Sequence, residues 1–154
     1  MGAKAQGPFG GKQGKAQMLT ATDFAGDWQL NRQITDRHGA MNGTLVGKVT
    51  LSGAGAALRY AETGRLRLEN GPVMEATRDY LWTFKDGHVE VRFADGAAFH
   101  TFTPAGKVPG STHLCGADLY NVTYDFRDWP QWRATWGVKG PRKDYTSVSH
   151  YAPA

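Results

Sequence analysis

The sequence predicts an all-β fold, a single antiparallel up-and-down β-barrel of about 8–10 strands with a short helical turn at its N-terminal end. Apolar and polar side chains alternate with a period of two through most of the chain after residue 26, which is typical of half-buried strands. Turn-forming residues separate these stretches at short intervals, and glycine alone occupies 20 positions. Hydrophobic residues make up 40% of the 154, which is enough for one core without disulfide bonds.

The elements follow in chain order from this alternation. The helical turn is predicted at Thr20–Gly26, where a threonine hydroxyl can cap the first turn. Strands are predicted where alternating stretches lie between turn signals, at 26–34, 44–51, 58–68, 74–84, 89–93, 98–103, 118–126, 132–138 and 144–151. Asp86-Gly87 and Asp95-Gly96 are predicted as hairpin turns. Pro104–Gly110 is predicted as a loop.

Two regions of the chain differ in composition. Residues 1–17 are rich in glycine, alanine and lysine without apolar periodicity, so we expect a disordered basic tail, with the β-barrel domain at 20–152. The formal net charge is +4, and subtracting the three tail lysines, Lys4, Lys12 and Lys15, leaves +1 for the barrel. We therefore expect no nucleic-acid partner.

The chain has one cysteine, Cys115, which excludes an internal disulfide and a cysteine zinc site. This usage fits the reducing cytoplasm, where we expect the protein to be. The apolar runs are too short for a transmembrane helix or a signal-peptide core, so we expect no membrane partner. The oligomeric state stays open.

Five charged or titratable side chains fall on strand faces that are otherwise apolar: Arg32, Glu62, Arg78, His100 and Asp118. Because side chains alternate strictly along a strand, this pattern predicts that these groups lie inside the barrel. A buried unpaired charge is costly, so the groups must pair with each other, reach solvent at the barrel mouths, or meet a ligand. A β-bulge would invert an individual face.

A small-molecule pocket with polar and aromatic walls is the function that this arrangement favours. Arg78, beside Tyr80 and Trp82, is the best anchor for an anionic or aromatic ligand, because a planar guanidinium binds a carboxylate through two hydrogen bonds; Arg32 is second. The predicted ligand-binding residues are Arg32, Tyr60, Glu62, Arg78, Tyr80, Trp82, His100, His113, Asp118, Tyr120, Tyr124, Trp136 and Arg142. We expect no cofactor.

A catalytic role for the same pocket is the first alternative. Glu62, His100 and Asp118 are candidates for general acid–base catalysis in a small isomerase, cyclase or lyase, because burial shifts the pKa of such groups toward neutrality. A metal site is not expected, since His113 and Cys115 lack tight ligand spacing with His100.

The stretch Phe24-Ala25-Gly26-Asp27-Trp28 resembles the Gly-X-Trp signature at the first strand of lipocalins and related calycin barrels. The resemblance implies that Trp28 closes one barrel end and packs against a basic residue of a late strand, here Arg133 or Arg142. It also implies haem binding, as in calycin relatives, as a second alternative function.

A longer set of motifs extends this resemblance. The motifs are Phe24–Trp28, Tyr60–Gly64, Arg78–Trp82, His113–Tyr120, Tyr124–Phe126 and Gly140–Tyr145. Together they resemble an uncharacterised bacterial and fungal domain family of unknown function with lipocalin-like character, over about residues 22–151. This resemblance implies a barrel and a cytoplasmic setting, and it implies no established reaction.

Overall fold

A computed structural model describes residues 17–154, so the predicted tail, apart from Gln17, lies outside the described residues. This part of the chain contains one short helix, α1 (Ala21–Phe24), and eleven strands. The strands are β1 (Gly26–Asp36), β2 (Gly43–Ala54), β3 (Ala57–Leu68), β4 (Val73–Lys85), β5 (His88–Phe93), β6 (Ala98–Phe102), β7 (Lys107–Pro109), β8 (His113–Cys115), β9 (Asp118–Asp125), β10 (Trp132–Lys139) and β11 (Asp144–Pro153). The all-β prediction with a short N-terminal helical turn is confirmed.

The strands form one antiparallel sheet that curls into a nearly closed barrel. Its order is β6-β5-β4-β3-β2-β1-β11-β10-β9-β7, and β8 also pairs with β9. Between β6 and the chain after β7, the Thr101 amide donates to Ser111 Oγ at 2.8 Å, and the Ser111 amide donates to the Thr101 carbonyl at 3.0 Å. These bonds partly bridge the two ends of the sheet.

The structure differs from the sequence prediction between residues 104 and 115. The predicted loop Pro104–Gly110 contains β7, which pairs with β9, and β8 follows close behind it. Each of these strands has three residues, which is too short to show an alternating pattern in the sequence. Their pairing with β9 fills the place next to β6 and so helps to close the barrel.

One end of the barrel is closed by aromatic side chains around Phe24, which is fully buried. Phe24 makes edge-on contacts with Trp82, Trp129 and Trp132 at centroid distances of 5.0–5.6 Å. The helical turn that carries Phe24 begins with a capping box, in which the Thr20 amide donates to Asp23 Oδ2 at 2.8 Å. Aromatic edges against ring faces are favourable, so this cluster, the aromatic plug, stabilises the closed end.

Trp28 belongs to the aromatic plug, but its neighbours differ from those that the lipocalin resemblance implies. Its indole N–H donates to the Phe24 carbonyl at 2.9 Å, and its ring packs against Trp129 and Trp132. Arg133 pairs instead with Asp125, its cross-strand neighbour, at 3.5 Å. Arg142 lies in the β10–β11 turn at the opposite end, so the expectation of a basic residue on Trp28 is wrong.

The other end of the barrel is the mouth, formed by the β1–β2, β3–β4, β5–β6, β8–β9 and β10–β11 connections.

No helix within residues 17–154 is long and apolar enough to span a membrane.

Two inward-facing glycines, Gly47 on β2 and Gly64 on β3, lie directly opposite each other. A Cβ atom on Gly47 would clash with the Thr63 carbonyl oxygen and lie 2.7 Å from the Gly64 Cα. Glycine is used in strands where backbones approach this closely. The close approach of β2 and β3 therefore depends on glycine, which has no Cβ atom, at both positions.

We predict that Gly47→Ala lowers the free energy of unfolding by about 1–3 kcal/mol, because the added methyl group has no room. Gly137→Ala on β10 is the matched control, since a Cβ atom there meets nothing within 4 Å. Urea denaturation of both variants measures the difference. Equal stability of the two variants would contradict the close approach at Gly47.

Candidate functional site

A cavity of about 360 Å³ lies inside the barrel between the aromatic plug and the mouth. Side chains at its mouth, such as Arg78 and Cys115, are exposed. Side chains at its floor, such as Tyr60, Trp82 and Tyr151, are no more than 5% exposed. The cavity is therefore a pocket that reaches from solvent into the core.

Arg32 and Glu62 form an ion pair beside the floor, and they are only 6% and 1% exposed. Arg32 donates to both carboxylate oxygens of Glu62, at 2.8 and 2.9 Å, and its Nε–H donates to Ser149 Oγ at 2.6 Å. Burial alone would raise the pKa of Glu62, but the hydrogen bonds and charge of Arg32 lower it below its ordinary value. Mutual pairing, left open by the sequence, is what accommodates these two charges.

A chain of tyrosine hydroxyls extends from this ion pair along the floor. The Tyr60 hydroxyl donates to Glu62 Oε1 at 2.6 Å, and the hydroxyls of Tyr60 and Tyr151 lie 2.8 Å apart. The Tyr151 ring stacks on Trp132 with centroids 3.7 Å apart. Burial raises the pKa of Tyr60 well above its ordinary value, so its hydroxyl stays protonated.

His100 is a buried, neutral histidine in the cavity wall. Its Nε2 lies 2.9 Å from the Tyr124 hydroxyl, and Nδ1 has no hydrogen-bond partner among residues 17–154. Burial, with a smaller contribution from the charge of His113, lowers the pKa of His100 to about 3. The imidazole is therefore uncharged near neutral pH.

Arg78 lies directly opposite Glu62 in the β3–β4 register and projects into the mouth of the cavity. Glu62 already accepts three hydrogen bonds from Arg32 and Tyr60, and no carboxylate within residues 17–154 forms an ion pair with Arg78. The charge of Arg78 is the last of the causes that lower the pKa of Glu62. Within the described residues, the charge of Arg32 is therefore balanced by Glu62, whereas Arg78 has no acidic partner.

Aromatic rings form much of the cavity wall. Phe99 stacks on Trp136 with centroids 5.1 Å apart and an interplanar angle of 11°, and on Phe93 at 4.5 Å. His113 and Tyr120 lie edge-on to Phe99 at 5.2 and 6.4 Å. This side of the cavity is therefore a wall of closely packed aromatic rings.

Ten of the thirteen predicted ligand-binding residues line the cavity: Arg32, Tyr60, Arg78, Tyr80, Trp82, His100, His113, Tyr120, Tyr124 and Trp136. Glu62 lies behind the wall, bound to Arg32. Asp118 does not line the cavity, because Lys143 binds it at the rim at 3.2 Å. Arg142 is exposed in the β10–β11 turn and does not line the cavity either.

The cavity also contains side chains that the sequence prediction missed: Ile34, Val91, Phe93, Phe99, Cys115, Val138, Tyr145, Ser147 and Tyr151. Tyr145, Ser147 and Tyr151 share one face of β11, so alternation alone would have found them. Phe99 is adjacent to His100 in the sequence, so strict alternation would place it on the opposite face of the strand. The β5–β6 register shifts there, so Phe99 and His100 both reach the cavity although they are adjacent in sequence.

The three candidates for acid–base catalysis do not meet at one position. Of Glu62, His100 and Asp118, only His100 lines the cavity. Within the described residues, no three histidine, cysteine or acidic side chains are grouped as metal ligands.

We predict that Glu62→Gln lowers the free energy of unfolding by about 3–5 kcal/mol, because buried Arg32 loses its counter-charge. The double variant Arg32→Met/Glu62→Leu, which removes both charges, should be destabilised much less than Glu62→Gln. Chemical denaturation of the three proteins measures this. A double variant at least as unstable as Glu62→Gln would contradict the buried pair.

His100 makes stability depend on pH. The unfolded chain protonates this imidazole near pH 6.5, whereas the folded pKa is about 3, so the stabilisation is full above pH 6.5 and is lost as the pH falls toward 3. We predict that His100 contributes a loss of about 1.4 kcal/mol per pH unit in the middle of this window. Urea midpoints between pH 7 and 4 measure it.

The matched variants for this pH dependence are His100→Gln and His150→Gln. His100→Gln should flatten the pH profile, whereas His150→Gln should retain it, because His150 is exposed. Identical profiles for the two variants would show that His100 does not titrate as expected.

Comparison with known proteins gives a solved structure of similar fold and a matching family. The fold is similar to that of an S-type phycobiliprotein lyase, CPES, from Guillardia theta, with a TM-score of 0.62 and 13% sequence identity over 87% of this chain and 90% of that one. At this identity the likeness shows the fold alone. No curated protein is detectably similar in sequence. The model of a family of unknown function, DUF6314, matches residues 24–153, and the chain belongs to that family.

Proposed function

We propose that the barrel binds a flat aromatic or conjugated carboxylic acid, with the carboxylate at Arg78 and the ring system between the aromatic walls. A volume of about 360 Å³ is in the range of sites that hold small organic molecules. The walls supply the apolar surface that a planar ligand needs, and polar side-chain atoms lie among the aromatic rings.

The observation that carries this proposal is the unbalanced charge of Arg78. A guanidinium fork binds a carboxylate through two parallel hydrogen bonds, and the partly enclosed mouth strengthens them relative to open solvent. Arg32 is unsuitable as the anchor because Glu62 and Ser149 already occupy three of its N–H groups. Of the two arginines in the cavity, Arg78 is the one that a ligand would reach.

Tyr145 supports the same placement of the carboxylate. It lines the mouth from β11, and its hydroxyl has no hydrogen-bond partner among residues 17–154. Burial raises the pKa of Tyr145, so its hydroxyl stays protonated, and Arg78 lines the same cavity. A protonated phenol beside a guanidinium gives an anion two kinds of donor.

The geometry favours binding over acid–base catalysis. Glu62 is held ionised by Arg32 and does not line the cavity, and Asp118 is held by Lys143 at the rim. His100 alone cannot supply the pair of groups that the catalytic alternative requires.

We predict that the full-length protein binds members of a panel of benzoate, cinnamate, 2-naphthoate and indole-3-acetate, and does not bind the corresponding amides comparably. Arg78→Met should weaken carboxylate binding by about 10- to 100-fold, the value of a charged hydrogen-bonded contact. Titration calorimetry with the tightest acid measures the dissociation constants.

Arg65→Met is the matched control for this titration. Arg65 lies on the outer face of β3, 73% exposed and paired with Glu75, so its removal changes the net charge equally without touching the cavity. Cys115, the chain's one cysteine, gives a second readout at the mouth, because a bound acid should slow its alkylation by iodoacetamide. Equal binding by Arg78→Met and Arg65→Met, or no binding by any acid, would overturn the proposal.

A further inference from the structure

The hydroxyl groups at the cavity floor have a fixed direction of hydrogen bonding. Glu62 is an ionised carboxylate bound by Arg32, so both of its oxygens only accept. The Tyr60 hydroxyl, 2.6 Å from Oε1, must therefore donate its single hydrogen to Glu62. The ion pair thus determines the orientation of the first hydroxyl in the chain.

The same reasoning determines the orientation of the next hydroxyl. Tyr60 has no second hydrogen to give, yet its oxygen lies 2.8 Å from the Tyr151 oxygen. That bond exists only if Tyr151 donates and Tyr60 accepts. The hydrogens of both floor tyrosines are thereby used within the protein.

What these two hydroxyls leave for a ligand is oxygen lone pairs. Tyr60 and Tyr151 both line the cavity, and the stacking of Tyr151 on Trp132 holds its ring in place. Both hydroxyls keep their protons, because burial is the main cause that raises the pKa of each. A carbonyl, ether or second carboxylate at this position would face an oxygen that has no hydrogen to donate.

We infer that the ligand carries a hydrogen-bond donor, an O–H or N–H group, at the end opposite its carboxylate, and that Tyr151 accepts it. This inference rests on the proposed function and adds the chemistry of the ligand's inner end. Arg78 is the cross-strand neighbour of Glu62, and two hydrogen bonds separate Glu62 from Tyr151. Arg78 and Tyr151 both line the cavity, one at the mouth and the other at the floor.

Arg32, His100 and Ser147 also offer polar atoms to the cavity, but they do not select a donor in this way. The N–H groups that Arg32 has left can only donate. The hydroxyl of Ser147 rotates and can donate or accept. The neutral imidazole of His100 has one donor and one acceptor nitrogen. Tyr151 is the specificity-determining residue because its own hydrogen is directed away from the ligand by the ion pair.

The test compares three acids of similar size: 4-hydroxycinnamate, 4-aminocinnamate and 4-fluorocinnamate. Fluorine occupies about the space of the hydroxyl group but has no hydrogen to donate. We expect wild-type protein to bind the hydroxy and amino acids at least about tenfold more tightly than the fluoro acid in titration calorimetry.

Two variants locate the acceptor. Tyr151→Phe keeps the ring that stacks on Trp132 and should bring the three dissociation constants to within about twofold of each other. Ser52→Ala, which removes a hydroxyl from the exposed outer face of β2 and not from the cavity, should retain the wild-type preference. Near-ultraviolet circular dichroism checks that both variants keep the native packing.

The outcomes separate this inference from the proposed function. Binding of all three acids with equal strength, or a preference for the fluoro acid, overturns the inference and leaves the carboxylate site at Arg78 standing. A donor preference that survives in Tyr151→Phe also overturns it, because the acceptor is then another group. Failure of all three acids to bind overturns the proposed function and the inference together.

Discussion

Arg32 and Glu62 meet inside the barrel through two hydrogen bonds, on side chains that are almost entirely removed from water. Each charge would be very costly there alone, so each depends on the other. The pair also organises what surrounds it, because it orients the Tyr60 hydroxyl and leaves Arg78 without a carboxylate. The polarity of the cavity at both its floor and its mouth follows from this one contact.

The two ends of the barrel have different roles. At the closed end, aromatic rings around Phe24 and Trp28 pack edge to face. Both residues are buried, so this packing keeps water out of the closed end. Toward the mouth the rings are spaced around a cavity instead of filling the interior. Interior side chains often fill a small barrel completely, but this barrel keeps an open pocket.

The candidate site was partly predictable because most of it obeys strand alternation. Arg32, Tyr60 and Trp82 follow from the inward faces of their strands, and the structure places all three on the cavity. Alternation did not predict the inward position of Phe99, because the shift of register beside this residue breaks the alternating pattern. Asp118 lies on the expected face but at the rim, where Lys143 binds it. Alternation predicts the face on which a side chain lies, but not how far along the barrel it lies.

The sequence by itself determined the fold class, most strand positions and the inward faces, because these depend on local alternation and turn chemistry. Only the tertiary structure decided which charges pair. Arg32 binds partners 30 and 117 positions away in the chain, and no local pattern encodes such distances. Glu62 pairs with Arg32 although Arg78 is its direct cross-strand neighbour. That choice leaves Arg78 without a carboxylate partner among residues 17–154.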